Sequence, residues 1–452
     1  MSIPKRFHQL QFRSVDARET RAPSPRMRMI ARRQSEKRQI GKRERKVDIV
    51  ILGAGLAGTS LAHHLEQLGF RGTIALLDNR ADFSREQRWC TWSDVPASML
   101  STVSHRWNAW QVRDEKHVAH CASDEYSYQE IYAPHFFQSI HSGWRDGGQI
   151  EIHLSQNIES VRETDDEMTV ETDSCRWRAA QVFDSRFHSE LDDAQSAPTQ
   201  TPHIFLAQTF VGRVVEFERD VFDASCATLM DFRVPQLLPD GVSFAYVLPY
   251  NSRRALIETT TFSPQATPRK IHNAMLNAYI VAHFGGAHRT ISHESGFVPM
   301  TTAPASATSS TRCSTQSRWT RIGVAGGQAR ASSGYAFGRI QRATLDMARQ
   351  IVGCGIDRDD ENSLTKTAVR SSITPAKYRV LDEIFLEALS VSPQFAGECF
   401  VRLFKNVPTG SLVRFLDDRS SLLDDARLIC ALPKLQFLAA TARRASAHFP
   451  AC

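Results

Sequence analysis

The sequence predicts an α/β chain: a Rossmann-type dinucleotide-binding domain, an antiparallel-sheet substrate domain inserted between its two halves, and a C-terminal helical cap. Three observations predict it. Residues 47–78 read strand, glycine turn, helix, strand and terminal acid in unbroken order. Residues 204–262 form a strand-rich block. Residues 376–445 carry helical patterns cut at Pro393, Pro408 and Pro433. The implied division is a basic leader over 1–46, a first nucleotide-binding part over 47–188, a strand-rich substrate region over 189–300, a second nucleotide-binding part over 301–355 and a helical region over 356–452.

Fifteen Lys and Arg against four acidic residues give positions 1–46 a net charge of +11, so the whole-chain +6 leaves −5 for the remainder. The basic character therefore belongs to the leader. It has no apolar run of signal-peptide length and is not a secretory signal. It reads as a solvated, disordered arm, as a segment drawn to anionic lipid, or as sequence upstream of a later start at Met27 or Met29. The mildly acidic body has no basic stripe for nucleic acid. Nine cysteines without a CxxC pair point to a reducing compartment and predict no metal site. No apolar run reaches the length of a membrane-spanning helix.

Val47, Ile49, Val50, Ile51 and Leu52 read as a buried strand. Gly53, Gly55 and Gly58 follow at once, with separate uses: a tight turn, close backbone approach to a pyrophosphate, and close helix–strand packing. The pyrophosphate would rest on the N-terminus of a helix running through Leu61, Leu65 and Leu68 to Gly69. A second strand over 73–77 ends in Asp78, placed to accept hydrogen bonds from an adenosine ribose.

Trp89 and Trp92 stand three apart among polar residues, either as core anchors or as part of a ligand wall. A helix is expected over 131–144, a strand over 149–154, a hairpin from 160–163 and 168–172, and an apolar strand ending in Asp184. A flavin-type domain has such a strand end, although Ser185-Arg186 replaces its usual glycine. Residues 189–202 are polar and Pro-containing, a surface loop at the domain change. Strands then follow over 203–210, 213–217, 228–232, 242–248 and 254–261, a helix over 270–284 and an extended return over 294–300. A late strand runs from Arg321 into Gly326 and Gly327, followed by a helix over 339–352. This second glycine-lined turn suits the ring end of a flavin, and the first turn its adenosine end. The terminal helices present Leu, Phe and Val faces, either for helix packing or for dipping into lipid.

With these blocks in place, the chain resembles the lycopene cyclase family of carotenoid biosynthesis, its bacterial β-cyclases in particular, over residues 47–418. The resemblance rests on the Gly53-Ala54-Gly55-Leu56-Ala57-Gly58 turn, Arg88-Trp89-Cys90-Thr91-Trp92, and Leu229-Met230-Asp231-Phe232-Arg233. It rests also on Phe244-Ala245-Tyr246-Val247-Leu248-Pro249-Tyr250 with Leu256-Ile257-Glu258-Thr259-Thr260, and on Gly323-Val324-Ala325-Gly326-Gly327 with Ser333-Gly334-Tyr335. It implies a flavoprotein whose reduced FAD is the active form, with NADPH or NADH as electron source. The implied substrates are lycopene and other carotenoids with acyclic ends, which pass through γ-carotene to β-carotene in an isomerisation without net redox change. The sequence departs twice from the family: Thr259 stands where several members carry a second acid after Glu258, and Ser185-Arg186 where a glycine pair is common.

Ring closure needs a proton delivered to a terminal alkene, passage through a tertiary carbocation, and loss of a ring proton. Glu258 is the candidate acid, because burial beside Ala255, Leu256 and Ile257 would keep a carboxyl protonated near neutrality. On residues alone, a solvated strand edge is the competing assignment. Asp231 is the candidate second carboxylate. Trp89, Trp92, Phe244, Tyr246, Tyr250 and Tyr335 are candidates to line the substrate and shield the cation with their ring faces. An apolar polyene dissolved in a bilayer calls for a cytoplasmic protein attached peripherally to the membrane, through the cap or the leader, with no obligate protein partner. Competing readings are another flavoenzyme on the same scaffold (an isoprenoid reductase or aromatic hydroxylase), a non-enzymatic isoprenoid-binding protein, and an ε-ring cyclase.

Overall fold

The computed structural model describes residues 42–92, 94–144, 148–164, 167–186, 204–285, 287–303, 318–353, 369 and 374–448. The leader up to position 41 and the expected surface loop at 189–202 lie outside the described residues. β1 (Arg43–Leu52) starts ahead of the boundary drawn at 47; α1 (Leu56–Gln67) follows the glycine turn, and β2 (Ile74–Leu77) lies parallel to β1. Residues 49–52 and all of β2 are buried, which is why both runs are continuously apolar: a parallel strand covered on both faces has no solvent side.

Next come β3 (Arg88–Thr91), β4 (Val103–Trp107), β5 (Ala109–Arg113), β6 (Val118–Ala122) and β7 (Tyr128–Tyr132). α2 (Ala133–His141) is shorter than the expected helix, because residues 131 and 132 complete β7 and Pro134 sits in the first helical turn. β8 (Ile150–His153), β9 (Ile158–Glu163), β10 (Met168–Thr172) and β11 (Cys175–Asp184) follow as read from the sequence. The strands expected at 203–210 and 213–217 are one strand, β12 (Phe205–Phe217), since Val211 and Gly212 keep the ladder to both neighbours. β13 (Cys226–Asp231), β14 (Val242–Pro249), β15 (Arg254–Ser263), α3 (Arg269–His283) and β16 (His288–Thr301) complete this part. β17 (Trp319–Arg321) and α4 (Phe337–Gly353) return to the nucleotide-type layer. The last helices are α5 (Ala376–Val391), α6 (Ala396–Asn406), α7 (Thr409–Leu416), α8 (Leu422–Ala431) and α9 (Lys434–His448).

Three sheets result. The first has the order β8-β2-β1-β11-β10-β9, with β17 parallel to β11. The second runs β16-β12-β15-β14-β13-β5-β6, and the third β3-β7-β4. The second sheet thus recruits β5 and β6 from residues that the sequence division placed in the nucleotide-binding part, because β5 finds its partner in β13. α1 and α4 are joined by polar side chains: Gln341 lies 3.0 Å from His64 Nε2 and donates to Ser60 Oγ at 2.8 Å. α3 covers one face of the second sheet, with His272 against Thr209 and Thr259.

The terminal helices are fastened by one buried cation. Arg330, fully buried, pairs with Asp382 of α5 and with Asp418, each at 3.0 Å, and lies over the rings of Phe415 and Tyr378. Stripping one partner from a buried pair leaves charge uncompensated. Asp382→Ala is therefore expected to lower unfolding stability by about 3 kcal/mol, near the low end for such pairs because Asp418 remains. Arg349→Ala, which removes an exposed pair with Asp346, is expected to cost under about 0.5 kcal/mol in the same urea titration.

Candidate functional site

A cleft of about 530 Å³ lies between the glycine turns of the first sheet and the face of the second sheet opposite α3. This volume is in the range of small-molecule sites. A larger surface groove of about 820 Å³ lies among α6, α8 and Asp114, and it contains none of the residues with the chemistry sought.

At one end of the cleft stand Gly55, Leu56 and Ala57, where the first N–H groups of α1 point outward. Gly53 has φ +90°, and a Cβ on Gly58 would fall 2.0 Å from the Gly53 carbonyl, so neither position admits a side chain. Asp78 is buried and braces this turn, accepting from Ala54 N–H at 2.7 Å and from Arg80 N–H and Nε at 2.9 Å. Arg80 and Arg85 line the cleft beside it. Ser185 fills the place of the usual glycine by clamping β11 to the turn: its hydroxyl donates to the Leu52 carbonyl at 2.9 Å. Arg186 folds back onto Asp184. In the second turn the cleft is lined by Gly323 and Val324. Gly326 and Gly327, expected to contact a cofactor, instead shape the turn behind that wall; a Cβ on Gly326 would lie 2.6 Å from the Arg321 carbonyl. Gln208 also lines the cleft, with a buried amide oxygen that has no hydrogen-bond partner. Anion-suited N–H groups at one end and an unsatisfied amide at the other fit an extended dinucleotide.

At the far end, Glu258 of β15 reaches the cleft together with Glu294 of β16. The two are brought together by Gly212 of β12, which registers with Glu258 on one side and Glu294 on the other. Thr260 donates to Glu258 at 2.9 Å, and Arg88 Nη1 donates to Glu294 at 2.8 Å. The Arg88 guanidinium also faces Glu86 at 3.4 Å and Glu130 at 3.7 Å, and Tyr250 donates to Glu130 at 2.8 Å. Burial first, and the neighbouring Glu294 second, push the Glu258 carboxyl well above the usual carboxylate range. Burial raises Glu294 as well, but Glu294 carries the bond from Arg88. The proton of the pair therefore rests on Glu258.

Of the six aromatic residues expected along the substrate, Trp89, Tyr246 and Tyr335 line the cleft. Trp92 packs in the core against Trp110 and Tyr128, and Phe244 is fully buried against Phe232 and Phe262. Tyr250 serves the Glu130 network. Asp231 must be corrected. It faces α3 rather than the cleft, with Tyr279 donating at 2.7 Å and Arg233 gripping both its oxygens. Burial alone would raise its pKa, but these hydrogen bonds outweigh burial and hold it below the usual value. Glu294, Tyr128 and Gln208 were not singled out from the sequence, and Arg88 was noted there only as part of the Arg88–Trp92 segment. Glu294 stands among Ser292, His293 and Ser295, so its local sequence carries no signal that separates it from a solvated strand residue.

The chain belongs to the lycopene cyclase family: the family model, described as lycopene cyclase protein, matches residues 48–442. No curated protein matches the chain. Among solved structures, a geranylgeranyl bacteriochlorophyll reductase-like protein from Thermoplasma acidophilum is 14% identical with a TM-score of 0.50, the match covering 89% of this chain and 97% of that one. Halogenase PltM, in a complex with ethyl mercury and mercury, is 12% identical with a TM-score of 0.53 over 89% and 96% of the two chains. A flavoprotein/dehydrogenase from Cytophaga hutchinsonii is 12% identical with a TM-score of 0.51 over 85% and 99%. At such identities the likeness is one of fold.

The raised Glu258 carboxyl has a consequence for stability. The folded state holds a proton that the unfolded chain has released above its ordinary 4.5, so this group costs stability as pH rises from there towards its folded pKa. Glu258→Gln removes that cost. Urea titrations across this window are expected to show the variant gaining on the parent as pH rises; parallel curves would mean that Glu258 is ionised in the folded state.

Proposed function

We propose that the chain is a lycopene β-cyclase, which closes the linear ends of lycopene into β-rings by acid-initiated cyclisation with FAD in the cleft. One observation carries this reading: a buried carboxyl, pushed above the usual carboxylate range by burial, stands at the far end of the same cleft that opens on the dinucleotide turn. The α1 N-terminus, Gly55, Arg80 and Asp78 would hold the adenosine and pyrophosphate end of FAD, and Gly323, Val324 and Gln208 its ring end. Held there in its reduced form, with NADPH or NADH as electron source, FAD would supply negative charge that favours the developing carbocation.

The chain's own residues do the rest. Glu258 delivers its proton to the terminal alkene, and an acid with a raised pKa is suited to this near neutrality. Trp89, Tyr246 and Tyr335 offer ring faces to the cation. Tyr246 is held neutral by burial and so does not compete as a base. The apolar lining of Phe210, Leu248, Leu256, Phe297 and Phe337 keeps water from capturing the cation.

The substrate lies in a bilayer, and among the described residues no helix is long and apolar enough to cross one. Peripheral attachment through the terminal helices suits both facts. Leu422 of α8 and Leu435 of α9 are 82% and 81% exposed, and Leu423, Ile429 and Leu438 are exposed beside them in sequence.

The purified protein, incubated anaerobically with FAD, NADPH and lycopene in liposomes, is expected to give a product of unchanged mass with β-rings. Glu258→Gln is expected to retain flavin and to lose about 10²- to 10⁴-fold in turnover. A product of altered mass would make the chain a reductase or oxygenase instead. In the same liposomes at low salt, the parent is expected to sediment with lipid and the Leu422→Asp/Leu435→Asp variant to remain in the supernatant. Full sedimentation of that variant would exclude these helices as the contact.

A further inference from the structure

Glu258 and Glu294 are not on adjacent strands. Neighbouring strands lie about 4.8 Å apart, so residues two strands apart are separated by roughly twice that and usually by a side chain between them. Here the intervening residue is Gly212, and a Cβ placed on it would stand 3.1 Å from Glu258 Cβ and 3.2 Å from Glu294 Cγ. The absent side chain lets the two carboxyl groups lean together within hydrogen-bond reach. Both line the cleft, and they are its acidic lining residues among those described. Arg88 approaches from β3 and bonds Glu294, whereas Glu258 receives a hydroxyl from Thr260. The pair is therefore asymmetric by construction, one member fixed by a cation and the other poised to hold a proton.

We propose that Glu294 is the second catalytic carboxylate, the base that takes the ring proton and returns it to Glu258. The proposal rests on the cyclase reading and completes its proton balance. The Glu258 O–H bond breaks as the terminal alkene's electron pair forms a C–H bond and leaves a tertiary cation. The next alkene's pair forms the ring C–C bond and moves the cation into the ring. A ring C–H bond then breaks, its electron pair forms the ring double bond, and the proton passes to a Glu294 oxygen. Transfer from Glu294 to the Glu258 carboxylate across their shared hydrogen bond resets the site. The substrate gains one proton and loses one, and nothing is oxidised or reduced.

The other titratable groups close to the pair are Arg88, Glu130, Cys90, Tyr246 and Tyr250; Cys90, Tyr246 and Tyr250 are kept neutral by burial. The anion that raises Glu258 after burial is thus Glu294, and removing its charge should draw Glu258 down.

The test compares Glu294→Gln, Glu294→Asp and Gly212→Ala with the parent, all loaded with FAD and assayed for β-ring product across pH. Glu294→Gln is expected to retain flavin, to lose about 10²- to 10⁴-fold in turnover, and to move the alkaline limb of kcat/KM to lower pH. Glu294→Asp is expected to restore the limb and part of the rate. Gly212→Ala keeps both acids but wedges them apart, and is expected to lower the limb and slow turnover at least tenfold. Should Glu294→Gln not fold, Gly212→Ala decides alone. Parental rate and an unmoved limb in Glu294→Gln, or in Gly212→Ala if it alone is available, would overturn the role of Glu294 while leaving the cyclase reading intact. Failure of the parent itself to form rings would instead sink the cyclase reading.

Discussion

One guanidinium organises the acidic end of the cleft. Arg88 faces Glu294 at 2.8 Å, Glu86 at 3.4 Å and Glu130 at 3.7 Å, so its single positive charge is shared among three carboxylates. Removing a carboxylate from water costs several kcal/mol unless a cation answers it. Glu258, buried beside this set, is bonded by the Thr260 hydroxyl rather than by a guanidinium. Its cheapest state is the neutral one. Burial first, and then the neighbouring Glu294, with no cation of Glu258's own to answer it, keep the Glu258 carboxyl above the usual range.

The fold supplies that setting by bringing distant pieces of chain to one place. Arg88 comes from a short strand of the third sheet, Glu258 and Glu294 from the second, and the glycine turns from the first. The paired helices α1 and α4 hold the two glycine turns in one frame through Gln341. The terminal helices then close over the second sheet, with Arg330 as their fastening and Phe232, Phe244 and Phe400 in the seam. A site that must exclude water and yet keep a proton needs both: a dry wall and too few cations.

How much of this was legible in the sequence depended on range. The β1–α1–β2 unit is local, and its glycines sit where backbone sterics demand them, so it could be read directly. Glu258 was legible because an acid among Ala255, Leu256 and Ile257 is unusual, and it lines the cleft. Glu294 was not, because its partner lies across β12 and only register brings them together. Phe244 stands two residues before Tyr246 and Tyr250 four after it, just past the end of β14; both share its parity, yet neither lines the cleft, which no alternation pattern reveals. Asp231 pairs in register with Ala245, which pairs with Thr259, and so it faces α3; the register shift along β13 hides that parity from sequence. The glycines Gly326 and Gly327 were correctly seen as a turn, but which of a turn's residues faces a ligand is decided by its φ angles, not by its composition.

The same parity explains the departure at Thr259. Successive residues of a strand point to opposite faces, so an acid at 259 would not join Glu258 in the cleft. It would enter the far face, where Thr259 is fully buried and its hydroxyl lies 3.3 Å from His272 Nδ1. Burial lowers His272 to about 4, so beside Thr259 the imidazole stands neutral. Threonine satisfies this pocket with a hydroxyl that donates to neighbouring carbonyls and carries no charge. The loss of a second acid on β15 therefore takes nothing from the cleft. The carboxylate that meets Glu258 comes from another strand, across a position that has no side chain to keep them apart.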